Sequence, residues 1–226
     1  MAKEHKVFCI GFMKTGTTTL NRALSFLGYR VSHNSWRWLN DIVKEDWDAI
    51  GRKVKEWDAL EDNPIPLIFR ELDRLFPGSK FILTLRDEKR WYDSVSYHIE
   101  DLPTPMHTWL FGKGKQLPKD DKEHTLAVYR GHIHSVRNYF KDRPGDLLEI
   151  DVTQLKDWDE LCQFLGEPIP EHALPHANRT QYETDKHSGL RRRLKYWKKR
   201  LINPIKIWNL DQKGYLPSPK QRIDSL

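Results

Sequence analysis

Cysteine is scarce: Cys9 and Cys162 are the only two in 226 residues. They are far apart and sit in apolar stretches, which excludes a disulfide framework and leads us to expect free, buried thiols. Long apolar runs are also missing. No stretch approaches the roughly 20 residues that a bilayer-spanning helix needs. Met1 to Lys6 is polar, without the apolar centre of a signal peptide. A cytoplasmic protein is expected, with peripheral membrane contact as the variant. No internal repeat or low-complexity tract occurs. The ten histidines show no metal-ligand spacing, and His132 and His134, two apart on an expected helix, face different ways. No metal is expected. Acidic residues are absent from 186–206, which carries nine Lys and Arg, while the whole chain has a net charge of +6. The rest of the chain is therefore slightly acidic, which argues against a nucleic-acid-binding surface spread over the molecule.

What is present is an alternation of apolar strands and amphipathic helices over a length that suits one sizeable domain. Strands are expected at about 6–11, 29–32, 57–60, 80–85 and 146–150. Helices are expected at about 17–27, 36–55, 65–75, 88–99, 121–141, 155–165 and 188–202. This order predicts an α/β fold with a mostly parallel central sheet flanked by helices, like that of the P-loop NTPases.

The stretch Gly11-Phe12-Met13-Lys14-Thr15-Gly16-Thr17-Thr18-Thr19-Leu20 follows the first strand and opens the first helix. Strand, glycine loop and helix make a phosphate cradle, in which loop N–H groups and the helix dipole converge on an anion. A triphosphate-binding loop places Lys directly after its second glycine. Here Thr17 stands there, and the loop's lysine is Lys14. The backbone nest is kept while the cation has moved, so a phosphate is expected but not the triphosphate of an ordinary ATPase.

A second segment, Phe76 to Val95, reads as a Pro77-Gly78 turn, a buried strand and a helix. Arg86 closes that strand at its carboxyl end, where ligands bind in open α/β sheets. With both segments, the chain resembles the sulfotransferases that use 3′-phosphoadenosine 5′-phosphosulfate (PAPS). Lys14 to Leu20 resembles their 5′-phosphosulfate loop, and Arg86 with Ser94 resembles their 3′-phosphate pair. The likeness continues through Asp146–Val152 and Trp158–Pro170, and so covers roughly residues 6–180.

The resemblance implies PAPS as donor, adenosine 3′,5′-bisphosphate as product, and a hydroxyl-bearing acceptor such as a carbohydrate, lipid-linked sugar or small metabolite. It implies Lys14 as the cation at the leaving oxygen. Thr15, Gly16, Thr17, Thr18 and Thr19 would form the cradle with Lys14, and Arg86 and Ser94 would read the 3′-phosphate. Asp62, two residues before Pro64, matches the place of the family's base, where histidine is more usual. Capping a helix is its structural alternative, and Glu61, His33 and His98 are reserves. A P-loop kinase and a non-catalytic nucleotide-binding module are the competing functions.

The chain divides into an α/β domain at 1–185 and a basic C-terminal helix and tail at 186–226. The first includes a mobile loop at 101–119, whose Trp109-Leu110-Phe111 is expected to form a lid over the acceptor or to pack. Leu190, Leu194, Trp197 and Leu201 form one stripe on the basic helix, which Pro204 should stop. That helix either packs on the domain or touches an anionic membrane through 188–202.

Overall fold

The computed structural model describes residues 3–32, 34–99, 102–175 and 190–226, with the backbone alone for 190–195. The boundary drawn at 185 and the reserve His33 lie outside the described residues.

Five strands form one sheet: β1 (Val7–Cys9), β2 (Val31–Ser32), β3 (Ala59–Leu60), β4 (Lys80–Thr84) and β5 (Leu147–Ile150). Their spatial order is β2-β3-β1-β4-β5, and every pairing is parallel. Phe8 stands opposite both Leu60 and Phe81. The helices are α1 (Thr17–Phe26), α2 (Leu39–Ile42), α3 (Trp47–Lys55), α4 (Phe69–Leu75), α5 (Glu88–Ile99), α6 (Pro105–Phe111), α7 (Lys122–Phe140), α8 (Asp159–Leu165), α9 (Leu190–Gln212) and α10 (Pro219–Asp224). The expected α/β class, with a parallel sheet flanked by helices, is the fold observed.

Alternation along the central strand builds the layers. Val7 and Cys9 point into a core made with Leu20, Ala23 and Leu24 of α1 and Leu161, Cys162 and Leu165 of α8. Phe8 and Ile10 point the other way, onto Ile50 and Val54 of α3, Phe69 and Leu72 of α4, and Val136 and Phe140 of α7. Ile82 of β4 joins the first core, while Phe81 and Leu83 join the second. The central strand is thus apolar on both faces because both are covered. Cys9 and Cys162 are free and buried, as expected.

Three expectations need correction. The helix foreseen at 36–55 is broken into a 3-10 turn at Ser35–Trp38, α2 and α3. Glu45 takes a left-handed φ of 56°, and Asp46 restarts the chain by accepting the Ala49 N–H, so a cap signal lay inside an apparently continuous period. The loop foreseen at 101–119 contains α6, started by Thr104, whose hydroxyl accepts the His107 N–H. Leu110 and Phe111 are buried against Trp91, Val95 and Tyr129, and Trp109 lies under Arg222. Those aromatics pack the core and are not a lid. Finally, Pro204 does not stop the basic helix, which runs on to Gln212. The missing N–H is outweighed by seating on the domain, where buried Asn203 donates to the Pro103 carbonyl at 2.9 Å.

The chain's end returns to the body. Ser218 and Gln221 form a capping box at α10, and Arg222 is buried there. Its Nε donates to the Trp109 carbonyl at 3.1 Å, and its guanidinium lies 4.8 Å from the Trp109 ring centre. Among the described residues no helix is long and apolar enough to cross a membrane. Arg222→Ala should lower unfolding stability by about 1.5–3 kcal/mol, the scale of a charged hydrogen bond. Urea denaturation checks the loss, and limited proteolysis should then cut first near α10.

Candidate active site

The carboxyl ends of the parallel strands lie along one edge of the sheet, where ligands bind in such folds. The loop after β1 carries the candidate cradle. Gly11 is required there by close approach: a Cβ on it would lie 1.9 Å from Thr84 Oγ1 and 2.6 Å from the Thr84 carbonyl oxygen. Gly16 caps α1 with φ 102°, where no side chain supplies a cap hydrogen bond and no acidic residue occupies the first turn. A Cβ on Gly16 would also press to 3.0 Å from Val152. The start of α1 is therefore an uncapped set of N–H donors at the positive end of a helix dipole.

The loop is held from beneath by its carbonyls. Thr15 Oγ1 donates to the Phe12 carbonyl at 2.6 Å and lies 2.5 Å from Thr84 Oγ1. Trp91 Nε1 donates to the Met13 carbonyl at 3.0 Å. Arg86 Nη1 donates to the Lys14 carbonyl at 2.9 Å. A trans peptide sets its N–H opposite its carbonyl, so anchoring the Phe12 and Met13 carbonyls turns the Met13 and Lys14 N–H groups the other way, while the Thr15 N–H closes the loop on the Phe12 carbonyl at 3.3 Å. Phe12 is stacked at 4.4 Å on His132, whose Nε2 donates to the Ile10 carbonyl. Burial pushes that imidazole down to about 4, so it is neutral. Lys14 adopts a left-handed φ of 70°, a conformation uncommon for a lysine.

Arg86 follows β4, with its backbone N–H donating to the Tyr129 hydroxyl at 3.1 Å and its carbonyl accepting that hydroxyl at 2.9 Å. Among the described residues it forms no ion pair. Ser94 is buried within α5 beside Trp91 and Val95. Thr17 is buried, Thr18 exposed and Thr19 half-buried. Thr15 is wholly buried, so its hydroxyl serves the loop's shape.

Two carboxylates follow β3. Glu61 is buried, and Asn21 of α1 donates to its Oε1 at 3.3 Å. Burial, with Asp62 adding repulsion and Thr17 and Asn21 opposing through hydrogen bonds, pushes the Glu61 carboxyl up to about 7. Asp62 is half-buried at φ 68°, and its Oδ1 accepts the Asn63 N–H at 2.8 Å. The peptide bond that follows, Asn63-Pro64, is cis.

A family model described as a sulfotransferase domain matches residues 6–182. The chain belongs to the sulfotransferase family. It is also 26% identical over 236 residues to the "Ava biosynthesis cluster protein M" of Aspergillus versicolor, with 86% of each chain covered.

In this sulfotransferase the loop, Arg86 and the β3 carboxylates all sit at strand ends along one sheet edge. The reserve His98 does not. It lies ten residues along α5 from Glu88, about 15 Å away at helical rise, and interacts with His107 of α6. Among the described residues no group of three or more His, Cys, Asp or Glu could hold a metal ion. Sequence reasoning left Glu61 in reserve and did not single out Trp91, Thr84, Tyr129 or Val152. Contacts spanning many residues carry those roles, and nothing local marks them.

Glu61 yields a pH test. Its folded carboxyl holds a proton that the unfolded chain releases near 4.5, so stability falls as pH rises from about 4.5 to about 7. The scale is about 1.4 kcal/mol per pH unit of that window. Glu61→Gln keeps the shape and removes the charge. It should flatten this decline and make the protein more stable than wild type above pH 7, as read by denaturation at a series of pH values.

Proposed function

We propose that this sulfotransferase moves a sulfuryl group from PAPS to a hydroxyl of a carbohydrate, lipid-linked sugar or small metabolite, leaving adenosine 3′,5′-bisphosphate. The observation that carries the reading is the uncapped, acid-free start of α1, set behind a lysine-bearing loop and tied to Arg86. That donor set suits a 5′-phosphate at the helix and a second phosphate near the guanidinium. PAPS, when bound, supplies the sulfuryl group and the leaving phosphate.

The chain's own residues then divide the work. Gly16, Thr17 and Thr18 offer backbone and hydroxyl donors to the 5′ end, while Thr19 closes the first turn of α1 through its N–H on the Gly16 carbonyl at 2.9 Å and Thr15 shapes the loop from below. Lys14 stabilises the negative charge that grows on the leaving oxygen. Arg86, with one Nη on the Lys14 carbonyl, offers the rest of its fork to the 3′-phosphate, and Ser94 adds a hydroxyl. The loop and the 3′-phosphate reader are thus one linked unit.

Asp62 takes the acceptor's proton. Glu61 lies against Thr17 and Asn21, the cradle's own helix, so an anion in the cradle raises its pKa further and keeps it protonated. A protonated carboxyl cannot act as a base, whereas Asp62 lies on the more open side. Glu61 serves as a neutral neighbour that does not repel the cofactor.

Calorimetry with adenosine 3′,5′-bisphosphate, AMP and ATP with Mg²⁺ tests the ligand class. The bisphosphate should bind tightest, and preference for ATP with Mg²⁺ would point to a kinase. Lys14→Ala should lower turnover of PAPS far more than it weakens bisphosphate binding, because the lysine's added value arises in the transition state. Unchanged turnover would remove Lys14 from the reaction. Asp62→Asn should slow single-turnover transfer by roughly 10²–10⁴, while Glu61→Gln, which mimics the neutral acid, stays within a few-fold at neutral pH. The reverse pattern would hand the base role to Glu61.

A further inference from the structure

Helix α9 has two faces with opposite fates. Tyr196, Asn203, Ile207 and Leu210 turn toward the body and are partly or fully buried, and Asn203 fixes that face to the Pro103 carbonyl. On the other side Trp197, Leu201, Ile205 and Trp208 are 54%, 70%, 60% and 60% exposed. Their spacing of four, four and three puts them in one strip along the axis. The strip crosses Pro204 and extends the pattern visible in the sequence by two residues. It is the principal exposed apolar feature of the described residues, since only Phe26, Trp36 and Ile169 are also large, apolar and exposed.

The strip's borders are cationic. Lys198 lies on one side and Arg200 on the other, with the Arg200 guanidinium 5.5 Å from the Trp197 ring centre. Lys199 and Lys206 add charge farther round the helix. The first acid on α9 is Asp211, and it is paired with Lys113 at 2.6 Å. Tryptophan at both ends of an aliphatic strip, flanked by Lys and Arg and free of acids, suits the boundary between lipid headgroups and acyl chains. The charge selects an anionic surface.

We propose that α9 lays Trp197, Leu201, Ile205 and Trp208 into the surface of an anionic membrane and so holds the enzyme there peripherally. The helix is already folded and seated by its opposite face, so docking needs no refolding. The proposal does not depend on the reaction catalysed.

Cosedimentation of the full chain with vesicles tests it, using phosphatidylcholine alone and phosphatidylcholine mixed with phosphatidylserine. Binding to the mixed vesicles should be at least about tenfold tighter and should fall as salt is added. Tryptophan emission should shift to shorter wavelength on binding. The double variant Leu201→Glu, Ile205→Glu should lose at least about tenfold in vesicle affinity while keeping the wild-type unfolding midpoint, since both positions are exposed. Lys198→Glu with Arg200→Glu should abolish the preference for phosphatidylserine without touching the strip. No binding by the wild type, or equal binding by wild type and the Leu201–Ile205 variant, would overturn the proposal. So would sedimentation equilibrium showing that the wild type dimerises and that variant does not, which would assign the strip to a second copy of the chain.

Discussion

The site depends on the anchoring of three successive carbonyls, those of Phe12, Met13 and Lys14. Each accepts a hydrogen bond from a side chain: Thr15, Trp91 and Arg86 in turn. An anion nest needs N–H groups facing one way, and an unsupported loop would not hold that arrangement. Trp91 and Tyr129 stack at 4.2 Å, and Tyr129 in turn grips the backbone of Arg86. The core under α5 and α7 and the cradle are therefore one packed object. Damage to the packing beneath reaches the loop without touching any residue that would contact a ligand.

The frame was largely legible in the chain because its signals are local. Val7 to Ile10 is apolar without alternation, as a strand covered on both faces must be, and Gly11 and Gly16 mark the loop. The two glycines nevertheless answer to different constraints. Gly11 yields space to Thr84, whereas Gly16 supplies a left-handed cap. Spacing alone treats them as a pair. The errors fell where a few residues overrode a pattern: Glu45-Asp46 inside an apparent long helix, Thr104 starting a helix in a proline-rich stretch, and Pro204 within α9. In the last case tertiary seating through Asn203 won over a local stop signal. Trp91 was beyond reach for a different reason, since its partner is 78 residues away in sequence.

The electrostatics run against intuition for the proposed anion site, because buried Glu61 accepts a hydrogen bond from Asn21 of α1. Burial resolves the conflict by favouring its protonated form. Glu61 and Asp62 are adjacent in sequence and differ in environment, one walled in by α1 and the other at the more open end of β3. That inequality acts on Glu61, whose carboxyl is raised to about 7 by burial first and by the neighbouring Asp62 second.

The two cysteines give the molecule a chemical silence. Cys9 and Cys162 are essentially inaccessible, and burial raises both thiols above their ordinary range, so neither offers a reactive thiolate. A cysteine placed on the surface at exposed Lys199 on α9 would stand as the one thiol open to alkylation. A fluorescent or spin label could be attached there in an otherwise native chain, giving a direct view of that helix while the site is left untouched.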